Sequence, residues 1–483
     1  MGQVVRLSAQ GNVAVVIIDS PPVNAMSQEM RQGLLDAFNA LRSDASAKAV
    51  LIHCAGRTFV SGADLREFDT GVGEPGYHQV FGAIENFEKP VIAALHGTAM
   101  GAGVEIALAS HYRCASPDAK MGLPEITLGI IPGAGGTQRL PRLIGAKAAA
   151  EMILNAAPIA APKAREMGIV DEIIEGELLA GAVAYAERLI ANGAKPRPTA
   201  ARTVDANGFD DAFVKAALQD AAKKWRGQQA PSWVLDAIRV SLQLPVAEGV
   251  KREREISLAA EQSLESRALR HLFFAEREVT KIPGLSPEVK AKDIDTVAIV
   301  GAGTMGRGIA ICCADAGIDV QLIDMSPEAA AKALEAIGKT YDSSVAKGRL
   351  NAADKAQRLA RIHVGSDIGV VANVALVIEA AFESMDVKKD LFGKFDKLCR
   401  RDAILATNTS TLDVDAIAAM TSRPEQVVGL HFFSPANVMR LLEIVRGAKT
   451  SPTTLATAVA VGKRLRKVGV VAGVCYGFIG NRM

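Results

Sequence analysis

Cysteine is scarce in this chain of 483 residues, and its six copies form neither a C-x-x-C pair nor the spacing of a disulfide framework. We therefore expect free, buried thiols in a reducing compartment. The N-terminus has no basic segment followed by an apolar stretch, so the sequence predicts no secretory signal. The longest apolar runs, such as residues 13–18, are too short to span a bilayer, which predicts no membrane insertion.

A strong net charge is also missing, since the formal charge is only +2 at pH 7. Without a strongly basic surface, the protein is not expected to attract nucleic acid or a membrane. Hydrophobic residues make up 49% and charged residues 22% of the chain, as in globular proteins. A chain of 483 residues is too long for one hydrophobic core, so about two to four domains are expected.

A glycine-rich stretch, residues 96–145, dominates the first half of the chain. It contains Glu105 and Glu125, each beside a turn-forming segment with apolar neighbours. A helix that begins at a glycine-rich turn presents unpaired N–H groups and the positive end of its dipole to a ligand. On this pattern alone two interpretations stay open. The glutamates are either an acid–base pair facing an oxyanion site or two solvated surface residues.

The motifs of this half resemble those of the enoyl-CoA hydratase/isomerase (crotonase) family: Ser61-Gly62-Ala63-Asp64-Leu65 and the runs 96–105, 122–125 and 131–141. The resemblance covers roughly residues 1–190 and implies the repeated ββα spiral of that family. It implies that the N–H groups of Ala63 and Ala102 hold the thioester oxyanion. Glu105 would activate water, Glu125 would protonate C2, and Gly133 would direct its N–H toward that water. Relatives in this family also move a 3-enoyl double bond to the 2-position, so isomerase activity is a second expectation.

The segment 191–292 differs from the first 190 residues in that its patterns are mainly helical, and it carries no nucleotide or metal motif. Residues 195–198, Lys-Pro-Arg-Pro, break the preceding helical pattern, and long helical patterns follow. We interpret the charged run 251–255 as a solvated helix face. A Pro-Gly pair within 281–284 is typical of a linker. The segment is therefore predicted to be a helical linker, and no metal site is predicted anywhere in the chain.

The second half opens with a nucleotide-binding pattern. A predicted strand at 293–300 ends in Gly301-Ala302-Gly303-Thr304-Met305-Gly306, which opens a helix. A second strand ends in Asp324, 23 residues after Gly301 (324 − 301), where an acidic residue bonds the adenosine ribose hydroxyls. The pyrophosphate would rest on the helix N-terminus. A plain tight turn is the alternative, but this context favours a dinucleotide site, and the negative charge of Asp324 favours NAD over NADP.

Further predicted strands carry polar residues at their C-terminal ends, where ligands bind in open α/β sheets. The motifs Asn408-Thr409-Ser410, 429–435, Glu443 and 477–482 together resemble 3-hydroxyacyl-CoA dehydrogenase over residues 293–483. The resemblance implies that His431 takes the proton of the 3-hydroxyl and that Glu443 orients the imidazole. The remaining residues that it implies are Ser410 and Asn481 for the substrate oxygen, and Glu383, Lys388 and Asn408 beside the cofactor.

The two halves together resemble the bifunctional β-oxidation enzymes of bacteria and peroxisomes. The expected fold class is α/β, with a crotonase-like ββα spiral domain (1–190), a helical linker (191–292) and a Rossmann-type NAD-binding domain (293–483). Such a protein would hydrate trans-2-enoyl-CoA and oxidise the 3-hydroxyacyl-CoA product with NAD. Two alternatives stay open: a hydratase/isomerase whose second half binds NAD but turns over poorly, and a non-catalytic scaffold that binds CoA and NAD.

The dehydrogenase family continues past the position of Asn481 into a helical domain that closes over the acyl chain, whereas this sequence ends at Met483. We therefore expect a fragment or a truncated protein that lacks this domain and whose dehydrogenase half is impaired. Acyl-CoA thioesters are the expected partners, and the sequence leaves the oligomeric state open. A bacterial-type cytoplasmic location is expected in preference to a peroxisomal one.

Overall fold

Short apolar runs rich in valine, isoleucine and alanine form the strands of the first unit, which extends to Phe273 in the computed structural model. The structure describes residues 4–483, apart from the side chains of Asp69 and Thr70. The strands of this unit are β1 Val5–Gln10, β2 Val13–Ile18, β3 Ala49–Cys54, β4 Val91–Leu95, β5 Thr98–Met100, β6 Tyr112–Ala115, β7 Lys120–Gly122, β8 Ile159–Ala160 and β9 Glu172–Ile173. The helices up to the end of this unit are α1 Gln28–Ser43, α2 Glu67–Thr70, α3 Tyr77–Glu85, α4 Ala102–Ala109, α5 Gly136–Ile144, α6 Ala146–Asn155, α7 Ala161–Glu166, α8 Leu178–Ala191, α9 Asp211–Trp225, α10 Ala230–Gln243, α11 Val246–Gln262 and α12 Leu264–Glu278.

The strands of the first unit form two sheets in a repeating pattern. A six-stranded sheet has the order β1-β2-β3-β4-β6-β9, and a three-stranded sheet has the order β5-β7-β8. The successive strands β4 and β5 enter different sheets before α4 begins, and β6 and β7 repeat this step before α5. This strand–strand–helix repeat confirms the predicted ββα spiral. It also brings the start of α4 and the start of α5 to one region of the unit.

The helices of the predicted linker pack against the core of the first unit up to its end at Phe273. Val234, Leu235 and Ile238 of α10 are buried in the same cluster as the β-strand residues of this unit. The Gln138 amide of α5 donates a hydrogen bond to the Ala237 carbonyl of α10 at 2.8 Å. The division into 1–190, 191–292 and 293–483 stays a prediction, to which the structure adds that α9, α10 and α11 do not stand apart from the first unit.

One expectation about this segment is wrong. The charged run 251–255 was interpreted as a solvated helix face, yet the side chain of Glu253 is fully buried, at 0% exposure. The reason lies in the helical period: the buried positions of α11 include Gly249, Glu253, Ser257 and Ala260, which follow each other at three- or four-residue steps. Lys251, Arg252 and Glu255 are exposed on the outer face of the same helix, whereas Arg254 is half-buried and lines the cavity of the first unit.

The second unit begins at Phe274 and is a single parallel-rich sheet covered by helices. Its strands are β10 Thr296–Val300, β11 Asp319–Ile323, β12 Ile362–Gly365, β13 Leu376–Glu379, β14 Ile404–Thr407, β15 Val427–Phe432, β16 Leu441–Arg446 and β17 Val468–Gly473. Its helices after α12 are α13 Thr304–Asp315, α14 Pro327–Ala346, α15 Ala352–Ala360, α16 Met385–Leu398, α17 Val414–Ala418 and α18 Pro452–Arg464. No helix within residues 4–483 is long and apolar enough to cross a membrane.

The strand order of the second unit fixes where a ligand can bind. The strand order is β12-β11-β10-β13-β14-β15-β16-β17. From β10 the chain first adds β11 and β12 on one side of this strand, and it then crosses to add β13 and the later strands on the other side, so the order of strand addition reverses at β10. Ligands of open parallel sheets bind beside the carboxyl ends of the strands at such a switch point. The predicted Rossmann-type domain is confirmed, and the glycine-rich turn follows β10 at this point.

We expect the packing of α10 to contribute to the stability of the first unit. Leu235→Ala removes a buried side chain and should lower the free energy of unfolding by about 2–5 kcal/mol. Leu258→Ala on α11 is the matched control, since Leu258 is 38% exposed and should cost much less. The two tryptophans of the chain, Trp225 and Trp233, both lie in the first unit, so their fluorescence during urea unfolding reports on that unit. Equal effects of the two substitutions would contradict this packing.

Candidate active sites

Two unpaired backbone N–H groups face a cavity in the first unit. Ala63 follows Gly62, which has φ +124°, and Ala102 follows Gly101, which has φ +51°; both glycines adopt backbone conformations that side chains disfavour. Among the described residues, neither the Ala63 N–H nor the Ala102 N–H has a protein acceptor. Both alanines line a cavity of ≈ 210 Å³. Two donors without protein partners that face one cavity are the arrangement of an oxyanion hole.

Glu105 stands in the first turn of α4, and its carboxylate reaches across to the loop before α5. Its Oε1 accepts hydrogen bonds from the N–H of Ala134 at 2.8 Å and of Gly136 at 2.9 Å. The side chain is only 3% exposed, and this burial raises the pKa of Glu105, although the two hydrogen bonds act in the opposite direction. A buried carboxylate held in one orientation and with a raised pKa is suited to proton transfer.

Glu125 begins a 3-10 turn, Glu125–Leu128, and faces the same cavity. Its Oε2 atom is buried without a hydrogen-bond partner. Burial raises the pKa of Glu125 well above its usual value, and the nearby charge of Glu105 raises it further. Two carboxyl groups that share one apolar site cannot both ionise easily, so the pair retains a shared proton. The predicted residues Ala63, Ala102, Glu105, Glu125 and Gly133 therefore line one cavity.

A third buried carboxylate, Glu253, was missed by sequence reasoning. Its Oε1 accepts a hydrogen bond from the Gly135 N–H at 2.5 Å, and its Oε2 accepts one from the Thr137 N–H at 2.9 Å. The Thr137 hydroxyl donates a further short hydrogen bond to Oε2. Burial, followed by the charge of Glu105, raises the pKa of Glu253 to about 8. A signal was present in the sequence, because Glu253 is in step with Gly249 along one face of α11.

The rest of the cavity wall is largely apolar, apart from charged side chains such as Glu67 and Arg254, and it includes residues beyond 190. Gly133 lies against α11 so closely that a Cβ atom at this position would come within 2.3 Å of the Ser257 hydroxyl. Leu65, Phe68 and Ile130 supply apolar surface, together with Phe273 near the end of the unit. A cavity with a polar catalytic side and an apolar remainder is suited to an acyl group.

In the second unit, the pairing of two antiparallel strands places His431 beside Glu443. The two residues are direct partners in the register of β15 and β16, and His431 Nδ1 lies 2.6 Å from Glu443 Oε2. Both side chains are buried. The Glu443 Oε1 atom accepts hydrogen bonds from the N–H groups of Ile479 at 2.9 Å and Gly480 at 2.7 Å. The carboxylate thus holds the imidazole while the segment 479–480 holds the carboxylate.

Glu383 lies next to Ser410 and connects it to Lys388. The Ser410 N–H donates to Glu383 Oε1 at 2.7 Å, and Lys388 Nζ lies 3.3 Å from Glu383 Oε2. Burial alone would raise the pKa of Glu383, but hydrogen bonds from Thr409 and Ser410 and the charge of Lys388 lower it. Lys388 itself is 1% exposed and bonds Glu379 at 2.7 Å. Its ammonium group therefore positions Glu383 from inside the unit, a role that the sequence did not reveal.

The two predicted asparagines, Asn408 and Asn481, both make hydrogen bonds near the end of β14. Asn408 Oδ1 accepts a hydrogen bond from the Phe432 N–H at 2.8 Å, which ties the ends of β14 and β15 together. Asn481 Nδ2 donates to the Ser410 carbonyl at 3.3 Å. The structure therefore brings Asn481 close to Ser410, and the role of both at the substrate oxygen stays a prediction. Within residues 4–483 no cluster of three or more His, Cys, Asp or Glu side chains could hold a metal ion.

The glycine-rich turn after β10 forms a cradle that fits a dinucleotide. A Cβ atom at Gly301 would lie 2.4 Å from the Ala380 carbonyl, and one at Gly306 would lie 1.8 Å from the Gly301 carbonyl. Gly303, by contrast, has open space beside it at the start of α13. Asp324 Oδ2 accepts the Ala302 N–H at 2.9 Å. Two glycines thus permit close packing, and the third leaves the helix N-terminus open to a phosphate.

Comparison with known proteins supports two functional regions. The profile of the family described as "Enoyl-CoA hydratase/isomerase" matches residues 8–221, and that of "3-hydroxyacyl-CoA dehydrogenase, NAD binding domain" matches residues 296–475. The second match confirms NAD as the cofactor of the second unit. Among solved structures, (S)-3-hydroxybutyryl-CoA dehydrogenase from Ralstonia eutropha is 40% identical over 40% of this chain and 68% of that chain, with a TM-score of 0.39.

Relatives also match along the whole chain. The peroxisomal bifunctional enzyme of Cavia porcellus is 38% identical over 98% of this chain and 66% of that protein. The glyoxysomal fatty acid beta-oxidation multifunctional protein MFP-a of Brassica napus is 33% identical over 99% of this chain and 68% of that protein. The chain therefore spans about two thirds of the length of the curated relatives that it matches.

The expected cytoplasmic location is wrong. The relatives that match along the chain carry peroxisomal names in animals and rice and a glyoxysomal name in Brassica napus. Sequence reasoning failed here because the catalytic motifs carry no information about a compartment. A peroxisomal address is a short signal read by a receptor, separate from the residues that bind substrate.

The tight packing of Gly306 leads to a prediction for NAD binding. Gly306→Ala would force its Cβ atom against the Gly301 carbonyl, which should displace the phosphate-binding turn. We expect the affinity for NAD, measured by calorimetric titration, to fall by about tenfold or more, a change of about 1.4 kcal/mol. Gly338→Ala on α14 is the matched control, because a Cβ atom there meets nothing within 4 Å. An unchanged affinity in Gly306→Ala would refute the role of this turn.

Proposed function

Because the chain belongs to the family of bifunctional β-oxidation enzymes, in which an enoyl-CoA hydratase/isomerase region precedes the NAD-binding domain of a 3-hydroxyacyl-CoA dehydrogenase, we propose that it catalyses two successive reactions. The first is hydration of a trans-2-enoyl-CoA, and the second is oxidation of the resulting 3-hydroxyacyl-CoA with NAD. The observation that carries the proposal is that buried Glu105 and half-buried Glu125 line one cavity together with two unpaired N–H groups.

Hydration proceeds by proton transfer through the two carboxylates. Glu105 takes a proton from water as its oxygen attacks C3 of the enoyl group, and Glu125 delivers its proton to C2. Negative charge accumulates on the thioester oxygen during the attack. The N–H groups of Ala63 and Ala102 stabilise that charge, and the Gly133 N–H orients the water. The proton lost by Glu125 is restored from the one gained by Glu105, so the pair returns to its starting state.

The same pair supports isomerisation of a 3-enoyl-CoA to the 2-enoyl-CoA. Glu125 lines the cavity and its Oε2 has no hydrogen-bond partner, so this carboxylate can remove a proton from C2 of a 3-enoyl-CoA. Return of a proton at C4 then moves the double bond. The oxyanion that forms in between is the same as in hydration, so the N–H groups of Ala63 and Ala102 serve both reactions.

In the second unit, the chain's own residues position the hydroxyl and take its proton. His431 accepts the proton of the 3-hydroxyl, and Glu443 stabilises the imidazolium that results. Ser410 and Asn481, which are joined at 3.3 Å, hold the substrate oxygen. The glycine-rich turn of residues 301–306 and Asp324 would hold NAD, which would supply the acceptor for the hydride from C3. Glu383, with Lys388 behind it and Asn408 nearby, orders the loop that faces the cofactor.

Two spectrophotometric assays test the whole proposal. Loss of enoyl-CoA absorbance reports hydration, and NADH formation after addition of NAD reports oxidation. A chain that hydrates without forming NADH would favour the alternative of a hydratase/isomerase whose second unit only binds NAD. A chain that does neither would favour a non-catalytic scaffold.

Removing either carboxylate should stop hydration without preventing binding. Glu105→Gln and Glu125→Gln should each lower kcat for hydration by about 10² or more, because each variant lacks one proton carrier. Binding of an acyl-CoA, measured by calorimetry, should persist, since the amide keeps the shape of the carboxyl group. Glu151→Gln, at an exposed position on α6, serves as the control with normal turnover. Near-normal hydration by either of the first two variants would exclude the assigned acid–base pair.

Asp324 should determine the choice of cofactor. We expect the unmodified protein to bind NAD more tightly than NADP, because the carboxylate accepts the ribose hydroxyls and repels a 2′-phosphate. Asp324→Ala should narrow this difference in titrations with both cofactors. Asp319→Ala, at the opposite end of β11, should leave the difference unchanged. Equal affinities for NAD and NADP in the unmodified protein would rule out this role for Asp324.

A further inference from the structure

The backbone N–H groups of the loop before α5 donate alternately to two carboxylates, which belong to different helices. Ala134 and Gly136 donate to Glu105, which belongs to α4. Gly135 and Thr137, the residues that alternate with them, donate to Glu253 of α11. Four successive peptide N–H groups are therefore hydrogen-bonded alternately to two carboxylates from different helices.

The backbone of this loop has little freedom to relax if one side is lost. Gly135 adopts φ +105°, and a Cβ atom at this position would collide with the Arg139 guanidinium at 1.8 Å. The same Arg139 donates to the Ala134 carbonyl at 3.2 Å and pairs with buried Glu85. The loop is thus held through its carbonyl side by Arg139 and through its N–H side by the two carboxylates.

The hydrogen bonds that compensate the burial of the Glu253 carboxylate all come from this loop and the first turn of α5. A carboxylate taken out of water is costly unless it is fully hydrogen-bonded, and both oxygens of Glu253 are occupied by Gly135 and Thr137. Its α11 neighbour Ser257 lines the cavity, whereas Glu253 stands behind the loop. Glu253 also lies beyond residue 221, where the match to the hydratase/isomerase profile ends.

We propose that Glu253 is a positioning residue of the hydratase site, which holds the 134–137 loop from behind so that the Ala134 and Gly136 N–H groups keep Glu105 aimed at the substrate. The proposal rests on the hydratase function proposed above. It makes α11 a part of the catalytic structure, because one face of this helix contacts the cavity through Ser257 and supports the loop through Glu253.

Above its pKa of about 8, where Glu253 is ionised, its charge also acts on the protons of the catalytic pair. Burial and the charge of Glu105 are the main reasons for the raised pKa of Glu125, and the charge of Glu253 raises it further. Removing that charge should lower the pKa of Glu125, so the shared proton is lost at a lower pH. The alkaline limb of the pH profile for hydration should therefore move to lower pH. A residue that only stabilised the fold would not move this limb.

Glu253→Gln is the decisive variant in the full chain. The amide keeps the size of the carboxyl group but offers one acceptor oxygen, so one of the two N–H groups of Gly135 and Thr137 loses its partner. We expect kcat for hydration to fall by about tenfold to 10²-fold, the scale of a small misplacement of a reacting group, with KM nearly unchanged. The alkaline limb should move to lower pH. Glu255→Gln, on the exposed face of the same helix, is the matched control and should show neither change.

The outcomes separate this proposal from the function on which it rests. If the unmodified chain does not hydrate enoyl-CoA, the proposed function fails. If it does, and a folded Glu253→Gln protein keeps either the normal kcat or the normal alkaline limb, the positioning role is refuted. Should Glu253→Gln fail to fold, Glu253→Asp replaces it. This variant keeps the charge on a shorter arm, so kcat should fall while the alkaline limb stays in place, and a normal kcat would refute the proposal.

Discussion

The hydrogen bonds between the 134–137 loop and two buried carboxylates determine most of what the first unit can do. Glu105 on one side and Glu253 on the other each accept two of the four successive N–H groups. Buried carboxylates are tolerated only when such donors satisfy them. The same bonds explain why α11 packs into the unit and why the loop has one conformation. They also explain why Glu105 keeps its orientation beside Glu125.

In the second unit, too, backbone N–H groups fix a buried carboxylate that holds another side chain in place. Glu443 accepts the N–H groups of residues 479 and 480 and thereby holds the imidazole of His431 at 2.6 Å. Glu379, which is fully buried, accepts the Ala381 N–H and the ammonium of Lys388. In both units backbone N–H groups fix a carboxylate of the proposed site, Glu105 in the first and Glu443 in the second. The orientation of each site therefore resides in the fold rather than in flexible side chains.

Sequence patterns predicted those features that depend on local spacing. The glycines at 301, 303 and 306 and the acidic residue at 324 lie within one βαβ unit, and the pair His431–Glu443 follows from the register of neighbouring strands. Glu253 and Glu379 were not predicted, because their burial depends on partners that lie far away in the chain or on another element. The run 251–255 is charged throughout; the four-residue step from Gly249 places Glu253 on one face of α11, but the three-dimensional packing shows that this face is the buried one.

The central claim, that burial in the first unit raises the pKa values of a cluster of three carboxyl groups, is open to direct observation. Carbon-13 NMR of protein labelled at the glutamate carboxyl carbons, with resonances assigned from single Gln variants, follows each group through a pH titration. We expect Glu105 and Glu125 to titrate above the ordinary range of a glutamate and Glu253 near pH 8, because burial disfavours their charged forms. Ordinary titration of all three carboxyl groups near their usual pKa of about 4.3 would contradict the account.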